Sequence, residues 1–214
     1  MTALAFVRAV AVLSTRALGY KRGLDVVLVL LAVPILLPVF AVLALMVRAT
    51  SRGPAFFIQQ RIGRDGVPFG MIKFRSMFVD ADSCLAQVLG QNDRDTICFK
   101  AKDDPRMTKL GRILRRSSLD ELPQFINVLK GEMSLVGPRP ALAREVALYP
   151  ATAMERLAVL PGITGAWQVA GRADLGFDEM LALDLGYVRQ AGLWVDLRIL
   201  GQTIGAVMSG RGAY

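Results

Sequence analysis

The chain has 214 residues, enough for one ordinary domain with its own hydrophobic core. It is 53% hydrophobic yet carries a formal charge of +8. That pairing suits a protein resting on an anionic membrane leaflet or handling several phosphates, and it sets the chain apart from soluble nucleic-acid binders, which share the charge but not the hydropathy. Histidine is absent, which excludes Ser-His-Asp catalysis, His-ligated zinc and His general bases.

Residues 1–20 are rich in Ala, Val and Leu, with Arg8 and Arg16 spaced along them. They lack the charged start, apolar core and small-residue cleavage site of a secretory signal, so an interfacial amphipathic helix or a flexible segment is predicted. Val26 to Val47 follows with no charge inside. As a helix it reaches ~33 Å, enough for a bilayer core. Pro34 and Pro38 near its middle each remove a helical hydrogen bond. Both flanks are basic, with Lys21 and Arg22 before and Arg48 and Arg52 after. A spanning helix concentrates positive charge on one side. Basic residues at both ends therefore predict a re-entrant helix-break-helix that dips into one leaflet and returns.

Beyond residue 50 the composition becomes that of a water-exposed domain. Pro54–Gln60 and Val67–Phe74, joined through Arg64-Asp65-Gly66, predict a β-hairpin. Residues 79–100 read as partly helical and then loop-like. Cys84 and Cys98 form no metal-binding pattern and read as reduced thiols. Residues 106–117 are densely basic. A helix is expected around Leu122–Leu129, followed by the turn-rich Lys130-Gly131 and Val136–Pro140, and then a loop from Pro161 to Arg172. Phe177–Gln190 reads as a helix. In the last segment Leu193, Leu197, Leu200, Ile204 and Val207 recur at helical spacing, which fits either core packing or a membrane surface.

Candidate chemistry centres on Asp120 and Glu121. Ser118-x-x-Glu121 has the form of a capping box, which accounts for both acids without any function. Their surroundings offer a second account. Arg106, Lys109, Arg112, Arg115 and Arg116 precede the pair, Lys130 and Arg139 follow it, and Lys73 and Arg75 close the hairpin. Clustered Arg binds phosphate oxygens bidentately, and a Gly-containing turn such as Val136-Gly137 lets backbone approach a ligand. A carboxylate among such cations stays ionised and can attack phosphorus or hold a divalent cation.

As ordered strings these segments are specific. Lys73-Phe74-Arg75-Ser76-Met77, Ser118-Leu119-Asp120-Glu121-Leu122-Pro123-Gln124, Asn127 to Pro140 and Pro161-Gly162-Ile163-Thr164-Gly165 closely resemble the bacterial sugar transferase family, the monotopic phosphoglycosyl transferases acting on polyprenyl phosphate. The resemblance runs from about Lys21 to Met208. It implies transfer of a sugar 1-phosphate from a UDP-sugar to undecaprenyl phosphate, with release of UMP. It further implies that Asp120 is the nucleophile, forming a covalent phosphosugar intermediate, that Glu121 assists, and that Mg2+ binds near Asp120. Lys73, Arg115 and Arg139 fall on family positions implied to hold phosphates, and Arg75, by its place at the end of the hairpin, is a further candidate for binding substrate phosphate. The family's Ser-Pro helix break falls on Pro38, where Leu37 replaces the serine and Pro34 stands one turn earlier.

The expected fold is α+β, mostly helical with a small β-hairpin. Residues 1–20 form the interfacial or flexible segment, 21–50 the re-entrant membrane hairpin and 51–214 a cytoplasmic catalytic domain with membrane-interface helices. Lacking the extra spanning helices and N-terminal domain of larger relatives, the chain reads as a minimal catalytic unit at the bacterial inner membrane. Its Gly-Arg-Gly-Ala-Tyr end resembles exopolysaccharide-type members that prime with galactose or glucose. The expected partners are the phospholipid bilayer, the UDP-sugar and undecaprenyl phosphate, with no nucleic acid; a homo-oligomer and downstream glycosyltransferases complete the set considered. Asp82–Lys102 and Gly165–Gly176 are candidate sugar-selecting stretches. Two other readings stay open at the sequence level: a basic membrane-tethered scaffold, and a direct-displacement enzyme in which Asp120 only binds metal.

Overall fold

Helix α1 runs from Ala3 to Thr50 with Pro34 and Pro38 inside it. The computed structural model describes residues 3–79, 81, 104–171 and 175–209, with backbone alone for 3–18. The expected helix break is not an interruption of helix, for both prolines sit within continuous helical backbone. A proline removes one hydrogen bond and crowds one carbonyl, which bends a helix without ending it when flanking turns hold. The stretch Gly19–Thr50 is long and apolar enough to cross a membrane, and only 11% of its most apolar window is buried. It is therefore not the core helix of a soluble domain.

The two flanks of this apolar stretch dock on the same folded unit. On the N-terminal side Lys21 Nζ bonds Asp196 Oδ2 at 2.6 Å and Tyr187 OH at 3.1 Å. Arg22 donates to the carbonyls of Val128 and Leu129, and Asp25 accepts from the Leu135 amide at 3.2 Å. On the C-terminal side Leu43 and Val47 share a buried cluster with Phe74 and Leu114, and the Phe40 ring meets Phe74 edge-on at 5.7 Å. Burying such side chains is worth about 1.5–3 kcal/mol each. The intervening Leu30, Leu31, Ile35 and Leu37 stay exposed.

The predicted hairpin is present as β1 (Phe56–Ile62) and β2 (Pro68–Phe74), antiparallel, with Phe56 opposite Phe74 and Ile62 opposite Pro68. Helix α2 (Lys109–Arg116) starts at Thr108, whose hydroxyl accepts from the Gly111 amide at 2.8 Å. A short 3-10 turn (Leu119–Glu121) leads into α3 (Gln124–Lys130), which Gly131 ends in the left-handed region at φ 83°. The segments read as turn-rich around Val136 and Ile163 contain a second small sheet, the parallel pair β3 (Ser134–Val136) and β4 (Gly162–Thr164). Short helices α4 (Ala143–Val146) and α5 (Ala166–Ala170) and a 3-10 segment (Ala151–Ala158) surround it. Helix α6 (Phe177–Gln190) matches its predicted bounds, and α7 (Leu193–Ser209) follows. The apolar stripe of α7 is divided: Leu200 packs on the core, whereas Leu197 and Ile204 are exposed. Asp196 and Ile199 are buried beside it, and Thr203 pairs with Thr164. Asp196 can turn inward because Lys21 and Tyr187 satisfy it. Most of 79–100, with Cys84, Cys98 and the candidate stretch Asp82–Lys102, lies outside the described residues.

Asn127 couples α3 to the hairpin and is fully buried. Its Oδ1 accepts from the Ile72 amide at 3.0 Å, and its Nδ2 donates to Gly70 O at 2.8 Å and Glu132 Oε2 at 2.6 Å. Replacing it by Leu strands buried backbone groups at a cost of about 3 kcal/mol. Asn127→Leu is expected to lower the melting temperature in detergent by roughly 6–12 °C for a domain of this size. An unchanged melting temperature would remove Asn127 from this role.

Candidate functional site

The site is built on the 3-10 turn that carries Asp120 and Glu121. Ser118 precedes it in the left-handed region, at φ 57° and ψ 15°. A non-glycine residue there costs about 1–2 kcal/mol. It reverses the chain after α2, and Asp120 on the turn that follows is buried, 5% exposed. The capping box expected from Ser118-x-x-Glu121 is not formed, since Ser118 makes no side-chain cap bond. The Glu121 carboxylate instead receives Lys73 Nζ at 2.7 Å. A serine in left-handed geometry does not present its hydroxyl to the turn as an extended N-cap does.

Leu119 and Leu122, on either side of the acidic pair, pack on the cluster of Leu43, Val47, Phe74 and Leu114. The acidic pair is thereby attached to the long apolar helix α1 itself. Lys73 comes from β2, and Arg115 from the last turn of α2, where its Nε donates to Ser76 Oγ at 3.1 Å. Arg139 comes from the loop after β3, and no described residue forms a hydrogen bond or ion pair with its guanidinium. That loop is fixed by a backbone crossing only glycine permits. A Cβ on Gly137 would lie 2.4 Å from Leu160 O, and one on Gly162 would lie 2.1 Å from Gly137 N. Gly137 thus serves chain-to-chain approach between β3 and β4, not approach to a ligand.

The two acids are held in different electrostatic states. Burial pushes the Asp120 carboxyl above its ordinary range, and Glu121 adds to this against the opposing pull of Lys73 and Arg115. Burial also acts on Glu121, but Lys73, through charge and hydrogen bond, with Arg139 and Arg61, holds that carboxyl below its usual range. The sequence-based expectation of an ionised carboxylate among cations thus fits Glu121, whereas desolvation dominates at Asp120. Among the described residues no side chain donates a hydrogen bond to Asp120.

Of the other predicted residues, Arg75 points away from the pair. Its Nη2 bonds Ser51 O and Ser51 Oγ, both at 2.8 Å, at the end of α1. Arg106 is engaged by Asp104 at 2.6 Å. Pro34 and Pro38 lie on the exposed middle of α1.

The structure adds residues that sequence reasoning missed. Arg61 is buried on the inward face of β1 and, among the described residues, bonds only neutral acceptors, Gln59 Oε1 and Pro140 O. Burial and the neighbouring Arg139 bring its pKa down to about 9. The Gln59-x-Arg61 alternation was the available signal, cut short by ending the strand at Gln60. Arg156 and Asp184 form a buried pair at 2.6 Å, with Arg156 also donating to Tyr149 OH. Burial pushes Asp184 up to about 6 even beside Arg156. Asp184 lies in the apolar stripe of α6 with Met180, Leu181, Tyr187 and Val188, where an acid signals an internal partner. A small cavity of about 10 Å³ borders this region, lined by Arg139, Arg156 and Tyr149 among others.

The bacterial sugar transferase family model matches residues 16–210. The chain is 40% identical over 198 residues to the exopolysaccharide production protein ExoY of Sinorhizobium fredii, covering 91% of this chain and 88% of that protein. It is 48% identical over 162 residues to the galactosyl transferase CpsE of Streptococcus agalactiae, covering 75% of this chain and 36% of the relative. Identity to the UDP-glucose:undecaprenyl-phosphate glucose-1-phosphate transferase of Escherichia coli is 40% over 202 residues, covering 91% and 41%. Against these last two the chain spans less than half of the relative's length; against ExoY it spans most of it.

Lys73 is the largest cationic influence on both acids. In Lys73→Met both carboxyls are therefore expected to take up protons at higher pH than in the parent. The protonated-carboxyl infrared band, followed against pH, checks this. Midpoints that stay in place would show that Lys73 does not set the dyad's charge.

Proposed function

We propose that this chain, which belongs to the bacterial sugar transferase family, transfers a sugar 1-phosphate from a UDP-sugar to undecaprenyl phosphate and releases UMP. The names of similar proteins support this, among them the Escherichia coli glucose-1-phosphate transferase. The observation that carries the reading is the buried Asp120 carboxylate, free of side-chain hydrogen bonds and set beside the Lys73–Glu121 ion pair. Exopolysaccharide priming is the physiological setting we favour, in line with the resemblance to ExoY.

Asp120 is the nucleophile in this reading. One carboxylate oxygen attacks the sugar-linked phosphorus of the UDP-sugar. The bond from that phosphorus to the bridging oxygen breaks, and the bridging oxygen departs on UMP with its electron pair. An acyl phosphate now joins Asp120 to the phosphosugar. A phosphate oxygen of undecaprenyl phosphate attacks the same phosphorus, the Asp120 carboxylate leaves, and a lipid diphosphate sugar results. Desolvation makes Asp120 more basic and a better nucleophile once ionised, while Lys73 and Arg115 keep the ionised form accessible. Glu121 holds the Lys73 ammonium at the pair, and Arg139, with Arg61 behind it, supplies positive charge for substrate phosphates.

Among the described residues no three acidic, Cys or His side chains cluster into a complete metal cage. One or two carboxylates completed by substrate phosphates and water is the donor set Mg2+ uses in phosphoryl transfer, and Asp120 with Glu121 fits it. Bound there, Mg2+ would supply charge that stabilises the departing phosphate.

We further propose that residues 21–50 re-enter the cytoplasmic face of the inner membrane. Docking of both flanks on one folded unit supports this, because a bilayer-crossing segment places its ends about 30 Å apart on opposite sides.

Asp120→Asn is expected to abolish UMP release and the trapping of labelled sugar phosphate on the protein, with membrane binding retained. A panel of UDP-sugars with undecaprenyl phosphate and Mg2+ checks it, and full activity in the variant would exclude Asp120 as nucleophile. For the membrane segment, single cysteines placed before Lys21 and after Arg52, in a chain lacking Cys84 and Cys98, are expected to react with an impermeant reagent only from the cytoplasmic side. Labelling from opposite sides would establish a spanning helix.

A further inference from the structure

Arg75 is 6% exposed. Its Nη2 makes both of its side-chain bonds, to Ser51 O and Ser51 Oγ. Its Nε and Nη1 are buried and have no hydrogen-bond partner among the described residues. Each unsatisfied N–H of a charged group costs about 1–3 kcal/mol, so buried guanidinium donors are ordinarily filled. Capping the end of α1 accounts for one nitrogen and leaves the other two unexplained.

The surroundings are shaped to hold the guanidinium in this place. Gly53 lies against it with φ +116°, and a Cβ there would sit 2.3 Å from Arg75 Nη1. Only glycine combines that backbone geometry with that proximity. Arg48 and Arg52, both exposed, flank the same corner, so the potential at the foot of α1 is positive. Arg75 N bonds Ala55 O at 2.9 Å, which continues the hairpin pairing one residue beyond Phe74. Arg75 therefore lies two extended residues, ~7 Å, from Lys73, which holds Glu121. The next residue, Ser76, accepts from Arg115 beside Asp120. Arg75 thus stands between the domain-proximal end of the membrane helix and the reaction centre, with two donors unused.

We infer that Arg75 receives the phosphate of the membrane-borne acceptor, a lipid phosphate monoester arriving along the foot of α1, and does not serve the nucleotide sugar. This rests on the transfer reaction proposed above. The Nε–H points to the Nη2 side, so Nε and Nη1 offer two separate single contacts, and a phosphate oxygen can take one of them as a charge-assisted hydrogen bond. In that position the acceptor reaches the dyad from the bilayer side, and the opposite approach, beside Arg139 and Arg61, is left to the soluble donor.

The test separates the two halves of the reaction in full-length protein in nanodiscs, using the UDP-sugar that the parent accepts. Adduct formation is measured without acceptor, and its discharge after adding undecaprenyl phosphate. In Arg75→Gln the ratio of discharge rate to formation rate, at sub-saturating acceptor, is expected to fall about tenfold, the loss of one charge-assisted contact. The loss should shrink at saturating acceptor. Arg75→Lys, which keeps the charge on a differently placed donor, is expected to be intermediate. Gly53→Ala, which displaces the guanidinium without removing it, should show the same selective loss. Equal slowing of both halves, in protein that still melts cooperatively, would move Arg75 to the donor or to the scaffold and overturn the inference. So would an unchanged ratio. Inhibition of the parent by phosphatidylglycerol that disappears in Arg75→Gln, with the ratio unchanged, would assign the site to a phospholipid headgroup instead. Equilibrium binding of undecaprenyl phosphate to Asp120→Asn protein, with and without Arg75→Gln, distinguishes the failures. Arg75-dependent binding without any UMP release from the parent would sink the reaction and keep the site.

Discussion

The fold depends on two-ended attachment of one long apolar helix to a single domain. At one end Lys21, Arg22 and Asp25 enter the domain and bond Asp196, Tyr187, two carbonyls at the end of α3 and the Leu135 amide. At the other, Arg75 reaches from the hairpin to Ser51 while Val47 and Leu43 join Phe74 and Leu114. The guanidinium-to-carbonyl contacts work with the chain's own electrostatics, because a helix C-terminus carries partial negative charge and unsatisfied carbonyls. Arg22 supplies that cap to α3 and Arg75 supplies it to α1, so each element's loose end is closed by a cation from another. The same cluster holds Leu119 and Leu122. The position of Asp120 is thereby tied to the long apolar helix α1 through this cluster.

On this frame the chain arranges an excess of positive charge around two acids and then makes those acids unequal. Glu121 is tied to Lys73 and held ionised, while Asp120 is buried beside it and pushed the other way. Two carboxyls whose environments drive them apart are suited to different roles. Arg61 and Arg139 lie on the far side with no acidic partner hydrogen-bonded to either. Like charges held together in a partly desolvated place lower the stability of the empty protein, and an anion relieves that cost. Such a cost is what the phosphate binding proposed above would offset.

Much of this was legible in the residues. The hairpin, α6 and the apolar segment follow from alternation, helical period and length, which are local signals. The small parallel sheet was not legible, because β3 and β4 are three residues each and pair across a long separation. Their glycines read as turns when they in fact permit a backbone crossing. The capping box failed for a related reason. Its residues are present, but Ser118 turns left-handed and Lys73, 48 residues away, takes the glutamate. Arg61, Arg156 and Asp184 were hidden because a buried charge declares itself only through its partner. The motif strings pointed to the acidic pair, and packing alone determined which acid is buried.

The two prolines acquire a definite meaning from this attachment. Each lacks the amide that would pair with the carbonyl four residues earlier, so Leu30 O is unpaired by Pro34 and Pro34 O by Pro38. Both gaps fall in the exposed stretch between the docked residues Val29 and Phe40. Outside that stretch any bending strains packed side chains and buried ion pairs. Inside it, bending breaks nothing that the prolines have not already broken. Fixed ends and a weakened middle confine the helix's compliance to residues 30–38. Leu37 before Pro38 is tolerable for the same reason, since the helix is held by packing and ion pairs at its two ends and does not rely on a local side-chain hydrogen bond. A helix continuous in backbone, gripped at both flanks by one domain and loosened between them, is compatible with the re-entrant path proposed above.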